Sequence, residues 1–250
     1  MSSAGGLRVS NVSVVLGGVR ILEDVTFDVA PGESLGVIGP NGAGKTTVIN
    51  AICGLVPLMA GEVWMDDIKL TGRRAYRMRG LGIGRSLQTT QYFHDLTCLE
   101  LVSLAAAPNS AIGAVRFNGH RRPDKRSTEV LEMLGLSDYA EHPLSELSTA
   151  VQKLVDMARA VASGDKLLLF DEPTSGVSQS DRAVIAKALT SLREVGRTIL
   201  MIDHDPAFVV ANSDRLMAMN FGRVLKIGTP PEVMQDEEVR SSYLGEMSPT

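Results

Sequence analysis

Residues 39–47 read GPNGAGKTT, and that stretch decides the fold. It fits the pattern G-x-x-x-x-G-K-[ST]. Gly39 and Gly44 let the backbone turn tightly, so successive N–H groups converge on one anion. A helix beginning near Lys45 adds the positive end of its dipole. The whole run, Gly39, Pro40, Asn41, Gly42, Ala43, Gly44, Lys45, Thr46 and Thr47, is therefore read as a phosphate-binding loop. Lys45 brings a full positive charge to the terminal phosphates of a nucleotide. Thr46 offers a hydroxyl to Mg2+, and Thr47 can donate to a phosphate oxygen. The motif has this meaning only between a strand and a helix, and the pattern predicts both: Ser34–Ile38 is a short apolar run, and Lys45–Cys53 has helical spacing.

Downstream, residues 167–173 read LLLFDEP, an apolar strand ending in two acids. Such a strand places Asp171 at the carboxyl edge of the sheet beside the phosphate loop, where it can hold Mg2+ directly or through water. Glu172 then faces the terminal phosphate and can accept a proton from the attacking water.

The rest of the chain supplies the frame. Leu7–Val29 reads as short strands around a Gly-Gly turn, and Gly61–Leu70 as strand. Helical spacing is predicted over Leu96–Ala107, Thr128–Leu134, Leu147–Ala162 and Asp181–Val195. Thr198–Ile202 is a second buried strand. Leu216–Ile227 reads as a hairpin turning at Phe221-Gly222, with a final helix from Pro231. Buried strands separated by helices indicate an α/β protein with a mainly parallel, doubly wound sheet. The early strands suggest an antiparallel β-subdomain packed beside it. The expected organisation is one domain over residues 1–250. Its nucleotide-binding core covers about 1–90 and 163–250, and an inserted helical subdomain covers about 91–162. The basic run Arg73–Arg79 reads as a solvated helix face, or alternatively as a contact for lipid headgroups or an acidic partner loop. The polar stretch Asn118–Lys125 carries no chemistry.

Composition narrows the class. With 44% hydrophobic and 22% charged residues, the chain can build an ordinary globular core. Its 29 acids against 25 bases leave a net charge of -4, which gives no general attraction to nucleic acid or anionic lipid. The two cysteines, Cys53 and Cys98, make no disulfide framework or zinc spacing and read as small buried hydrophobes. Met1–Gly6 lacks the charged start and apolar run of a signal peptide. No stretch reaches the length of apolar chain that a membrane helix needs, so any membrane role is expected to come through a partner.

Taken singly, Gln88, His204 and the segment LSTAVQK at 147–153 say little. Their order is informative: phosphate loop, Gln88, that segment, Asp171-Glu172, then His204. In this order and spacing the chain resembles the ABC transporter ATPase family over nearly its whole length. The resemblance implies a P-loop NTPase fold that binds ATP with Mg2+ and hydrolyses it. It also implies that Gln88 contacts nucleotide and Mg2+ and senses the membrane partner. His204 would contact the γ-phosphate and orient water with Glu172. The implied partners are transmembrane permease subunits, a second ATPase subunit and, indirectly, a solute-binding protein. Nucleic acid is not among them, and the implied location is the cytoplasmic face of the membrane. Residues 81–100 (LGIGRSLQTTQYFHDLTCLE) and 222–246 (GRVLKIGTPPEVMQDEEVRSSYLGE) are similar to the branched-chain amino acid importer group (LivG/LivF-type).

The chain departs from the family pattern in three places. Where the family usually reads L-S-G-G-Q, Leu147-Ser148 is followed by Thr149, Ala150 and Val151. Side chains at Thr149 and Ala150 are expected to crowd a phosphate's approach, and Val151 cannot hydrogen-bond, while Ser148 and the following helix N-terminus still can. Ser178 stands where the family usually has Asp. Leu16 stands where an aromatic usually stacks on adenine, and it offers only apolar contact. These departures suit a subunit that keeps its own hydrolytic apparatus but gives a poor signature to a different partner ATPase. They also leave open a catalytically impaired regulatory subunit. A soluble non-transport ABC ATPase acting on nucleic acid or the ribosome is a further alternative, although 250 residues hold neither a second ATPase domain nor a long coiled-coil insert.

Overall fold

A computed structural model describes residues 6–86, 95–107 and 125–244. Two sheets form the frame. The first is antiparallel, built from β1 (Leu7–Leu16), β2 (Val19–Val29), β4 (Ala60–Met65) and β5 (Ile68–Lys69) in the order β2-β1-β4-β5. The second has six strands: β3 (Ser34–Ile38), β6 (Ile83–Arg85), β7 (Leu167–Asp171), β8 (Thr198–Ile202), β9 (Arg215–Asn220) and β10 (Arg223–Gly228). Their order is β10-β9-β3-β8-β7-β6, all parallel except β10, which returns antiparallel along β9. This is the doubly wound sheet with an antiparallel partner that the pattern predicts.

The parallel strands are buried on both faces, as their unbroken apolar runs require. Side-chain alternation along β7 divides the core in two. Leu168 and Phe170 pack with α4 (Thr149–Ser163), α2 (Cys98–Ala106), α3 (Lys125–Met133) and α5 (Arg182–Glu194). Leu167 and Leu169 pack on the other face with α1 (Lys45–Ile52) and the antiparallel sheet. Cys53 and Cys98 are both free and buried, and burial pushes the Cys98 thiol up to about 11.

Four local readings need correction. β1 and β2 are long strands of 10 and 11 residues, kept continuous by register shifts where β-bulges absorb the broken alternation. The strand expected over Gly61–Leu70 is a hairpin, because Asp66 takes a left-handed backbone (φ 53) and turns the chain. The basic run Arg73–Arg79 is exposed at Arg74 and Arg77, as a solvated face would be, but it is no continuous helix. It forms one-turn 3-10 pieces at Ala75–Arg77 and Arg79–Leu81 around the buried Met78, and Arg79 donates to the carbonyl of Ala107. The final helix is two, α7 (Pro230–Met234) and α8 (Glu237–Leu244), broken where Asp236 accepts from the N–H groups of Glu238 and Val239. Two elements had no sequence reading: the three-residue β6, and α6 (Pro206–Ala211), which Asp205 caps.

Candidate active site

The phosphate loop, Asp171, Glu172 and His204 lie at the carboxyl edge of the parallel sheet, where open α/β sheets place their ligands. β3 runs into the phosphate loop. Three of its glycines have positive φ: Gly39 at 152, Gly42 at 78 and Gly44 at 96. Two of them are also sterically forced. A Cβ on Gly39 would stand 2.2 Å from the Met219 carbonyl oxygen, and one on Gly44 would meet Leu22 at 2.7 Å. Gly42 faces open space, so nothing blocks an approaching anion there. Helix α1 begins at Gly44 with no side-chain cap and no acid in its first turn. An uncapped N-terminus presents N–H groups to an external acceptor.

Lys45 is only 8% exposed, and its ammonium crosses the loop to donate to the carbonyls of Gly39 (2.6 Å) and Pro40 (2.9 Å). The charge therefore sits over the loop, where a phosphate would be gripped. Asn41 and Gly42 are exposed, while Pro40 and Ala43 are buried and shape the loop from beneath. Thr47 is half-buried beside Thr46.

Thr46 and Asp171 meet across the edge: the Thr46 hydroxyl donates to Asp171 Oδ1 at 3.3 Å. Asp171 is 2% exposed. Burial pushes its carboxyl above the usual range, opposed by the Arg85 charge and reinforced by the charge of Glu172. A hydroxyl and a carboxylate are the hard oxygen ligands Mg2+ takes, and Mg2+ fills its remaining positions with water and phosphate. The site fits this, since the Thr46 hydroxyl and the buried Asp171 carboxylate stand together beside the loop. Gln88 lies outside the described residues.

Glu172 has φ 58, a left-handed backbone that costs a non-glycine residue energy and clusters at functional sites. Three bonds hold it there. Its N–H donates to the Ile202 carbonyl at 2.8 Å, and its carbonyl accepts from Lys153 Nζ and from the Ser175 N–H, each at 3.2 Å. The carboxylate then meets His204, whose Nε2 stands 2.7 Å from Glu172 Oε1. The two predicted partners are thus in contact, and the His204 side chain is 54% exposed and open to a ligand.

Sequence reasoning missed the residues that brace this edge. Arg85, at the end of β6, donates to Asn50 Oδ1 on α1 at 2.7 Å and pairs with Asp171 Oδ2 at 3.4 Å. Its carbonyl accepts from Arg159, which is itself paired with the buried Asp156 on α4. The Asp203 carboxylate, 5% exposed, accepts from both the N–H and the hydroxyl of Thr174, tying the loop after Glu172 to the loop holding His204. Arg182 pairs with Asp205 beside it. No sequence signal points to Arg85, because neither β6 nor its place beside β7 can be read from the residues. Replacing Arg85 by Met leaves a buried carboxylate oxygen and an amide without their donors. This should lower stability by about 1–3 kcal/mol, read by urea unfolding; an unchanged midpoint would rule the brace out.

The remaining predicted positions lie further out. Ser148 caps α4, its hydroxyl accepting from Val151 N–H at 3.4 Å. Ala150 is 6% exposed, so its methyl is turned into the protein, and the expected crowding falls on the exposed Thr149. Ser178 donates to Asp181 Oδ2 at 2.7 Å just before α5. Leu16 ends β1 at the two-glycine turn and is 38% exposed.

A family model described as "ABC transporter" matches residues 22–175, from β2 through the acids of β7 to Ser175. The chain belongs to the ABC transporter ATP-binding family. As such it is an ATP-binding, ATP-hydrolysing cassette. It is 30% identical over 96% of its length to the high-affinity branched-chain amino acid transport ATP-binding protein LivG of Escherichia coli strain K12, covering 98% of that protein. It is 31% identical, again over 96%, to the lipopolysaccharide export system ATP-binding protein LptB of the same strain, covering 97% of it. Among solved structures, an ATP-binding cassette of an ABC transporter in its ADP conformation superposes with a TM-score of 0.87 at 28% identity, covering 96% of this chain and 99% of that one. The cassette cbiO1 from Clostridium perfringens, part of the transporter complex cbiONQ, superposes with a TM-score of 0.78 at 25% identity over 97% and 99%. Among the described residues no helix of the cassette is long and apolar enough to cross a membrane.

Proposed function

We propose that this cassette powers a membrane importer for branched-chain amino acids or related small polar solutes, hydrolysing ATP at the site built on Lys45, Asp171, Glu172 and His204. The observation that carries the hydrolytic part is the Glu172–His204 contact at 2.7 Å beside the phosphate loop. The loop N–H groups and Lys45 grip the β- and γ-phosphates. Thr46 and Asp171, with Gln88, would hold Mg2+, which when bound neutralises phosphate charge. Glu172 takes the proton of the attacking water, and His204 holds Glu172 and the water in line. Leu16 would touch the base, and Ser148 the terminal phosphate of a facing subunit.

The cassette works with transmembrane components, which we take to be permease subunits at the cytoplasmic face. The segment 91–162, taken as the inserted helical part, would carry the motion to them. Import rests on the likeness to LivG and on residues 81–100 and 222–246; the equal likeness to LptB is the case for export. Proteoliposomes holding the cassette with its membrane partners separate the two. A leucine-loaded external binding protein should raise ATP hydrolysis. Stimulation by lipopolysaccharide, and by no loaded binding protein, would reverse the direction. Thr149, Val151 and Ser178 support a second, different ATPase as partner. Equal losses from disabling the catalytic Glu of either subunit would count against that pairing.

A further inference from the structure

Phe221 occupies the turn between β9 and β10 with φ 44, and it is 87% exposed. Both facts are unfavourable for folding. A left-handed backbone is costly for a bulky L residue, and an exposed phenyl ring gains nothing from burial. Asn or Gly would suit the turn better. An observed backbone outlier of this kind points toward function.

The turn is also fixed in place. The Gly222 N–H donates to the Ala43 carbonyl of the phosphate loop at 3.1 Å, and the Gly222 carbonyl accepts from Glu23 N–H at 2.9 Å. A Cβ on Gly222 would stand 2.2 Å from the Ile21 carbonyl oxygen, so the contact with β2 is as close as backbone allows.

Strand order sets which flank of the loop this is. In β10-β9-β3-β8-β7-β6, His204 follows β8, Asp171 and Glu172 end β7, and Arg85 ends β6, all on one side of β3. Phe221 follows β9, on the other side. The phosphate to be cleaved must face the acids, so the nucleoside leaves the loop on the opposite flank. The β1–β2 hairpin, bonded to this turn through Glu23, offers Leu16 and Val19, which are aliphatic.

We propose that Phe221 stacks on the nucleotide base and supplies the aromatic surface that Leu16 lacks. The proposal rests on the reading that the loop holds ATP. Flat contact with a ring is worth more than contact with an aliphatic side chain, and because the backbone of the turn is already fixed, only the ring's own torsions are ordered on binding.

The test uses calorimetry on the purified cassette with two probes, Mg-ATP and Mg-tripolyphosphate, which lacks a base. Phe221→Ala should weaken Mg-ATP about fivefold or more and leave tripolyphosphate binding unchanged. In Phe221→Trp, Mg-ATP should quench the introduced indole while tripolyphosphate does not, with the background from Trp64 measured in the unmodified chain. Equal Mg-ATP affinity in the unmodified chain and Phe221→Ala would overturn the proposal. So would an equal loss for both probes, which would mean that the turn acts only by shaping the loop. An unmodified chain that binds neither probe would instead remove the loop assignment itself, and this inference with it.

Discussion

Lys45→Ala should cost the cassette its productive nucleotide binding, with Mg-ATP affinity falling about 100-fold in calorimetry. The reason is geometric as well as electrostatic. The ammonium is held over the loop by the Gly39 and Pro40 carbonyls and is almost wholly out of water. A charge already desolvated and positioned loses little on meeting a phosphate, and charge-assisted hydrogen bonds are the strong ones. The backbone N–H groups at the start of α1 remain in the variant, so weak phosphate binding should persist. Truncation also leaves two loop carbonyls without this donor, which costs about 1 kcal/mol in stability. Urea unfolding separates that modest loss from the loss of affinity. Normal affinity and turnover would contradict the assignment of the loop.

The core of this fold was legible because its signals are local. GPNGAGKTT needs three glycines with positive φ, and the structure shows that Gly39 and Gly44 have no room for a side chain. Ser34–Ile38 and Thr198–Ile202 match their predicted bounds because strands buried on both faces are unbroken apolar runs. The hairpin at Phe221-Gly222 fell where expected for the same kind of reason, a turn residue between two apolar runs. β6 was illegible: three residues of mixed character are strand only because β7 and α4 pack on them. The bulges of β1 were equally hidden, since cross-strand register is a property of the pair.

The site divides in the same way. Lys45, Thr46, Asp171 and Glu172 could be named because each opens a helix or stands at the end of a strand, and His204 through the family resemblance that the order of motifs carries. The structure brings Thr46 to Asp171 and Glu172 to His204. The braces could not be named. Arg85 reaches Asn50 and Asp171 across sequence separations of 35 and 86 residues, and Thr174 reaches Asp203 across 29. Such contacts leave no periodic or spacing signal, because they depend on which strands become neighbours in the sheet. The strained φ of Glu172 and Phe221 was invisible for a related reason: nothing in a one-letter code marks a non-glycine residue forced left-handed.

Glu172→Gln should lower ATP hydrolysis by about 10^2–10^4-fold while Mg-ATP binding stays intact. The amide keeps the size of the carboxylate. It also leaves the backbone bonds to Ile202 and Lys153 untouched, so the left-handed turn at 172 survives. What disappears is a base able to take a proton from water beside the terminal phosphate. Because binding persists and cleavage does not, the loaded cassette should accumulate, and with its partner subunit it should elute as a nucleotide-bound closed dimer in gel filtration with Mg-ATP. His204→Ala supplies the contrast. It removes the group that holds Glu172 at 2.7 Å but keeps the base, so it should slow turnover less than Glu172→Gln does. Unchanged turnover in Glu172→Gln would remove this residue from the chemistry. A loss no greater than that of His204→Ala would make the two a positioning pair with the base elsewhere.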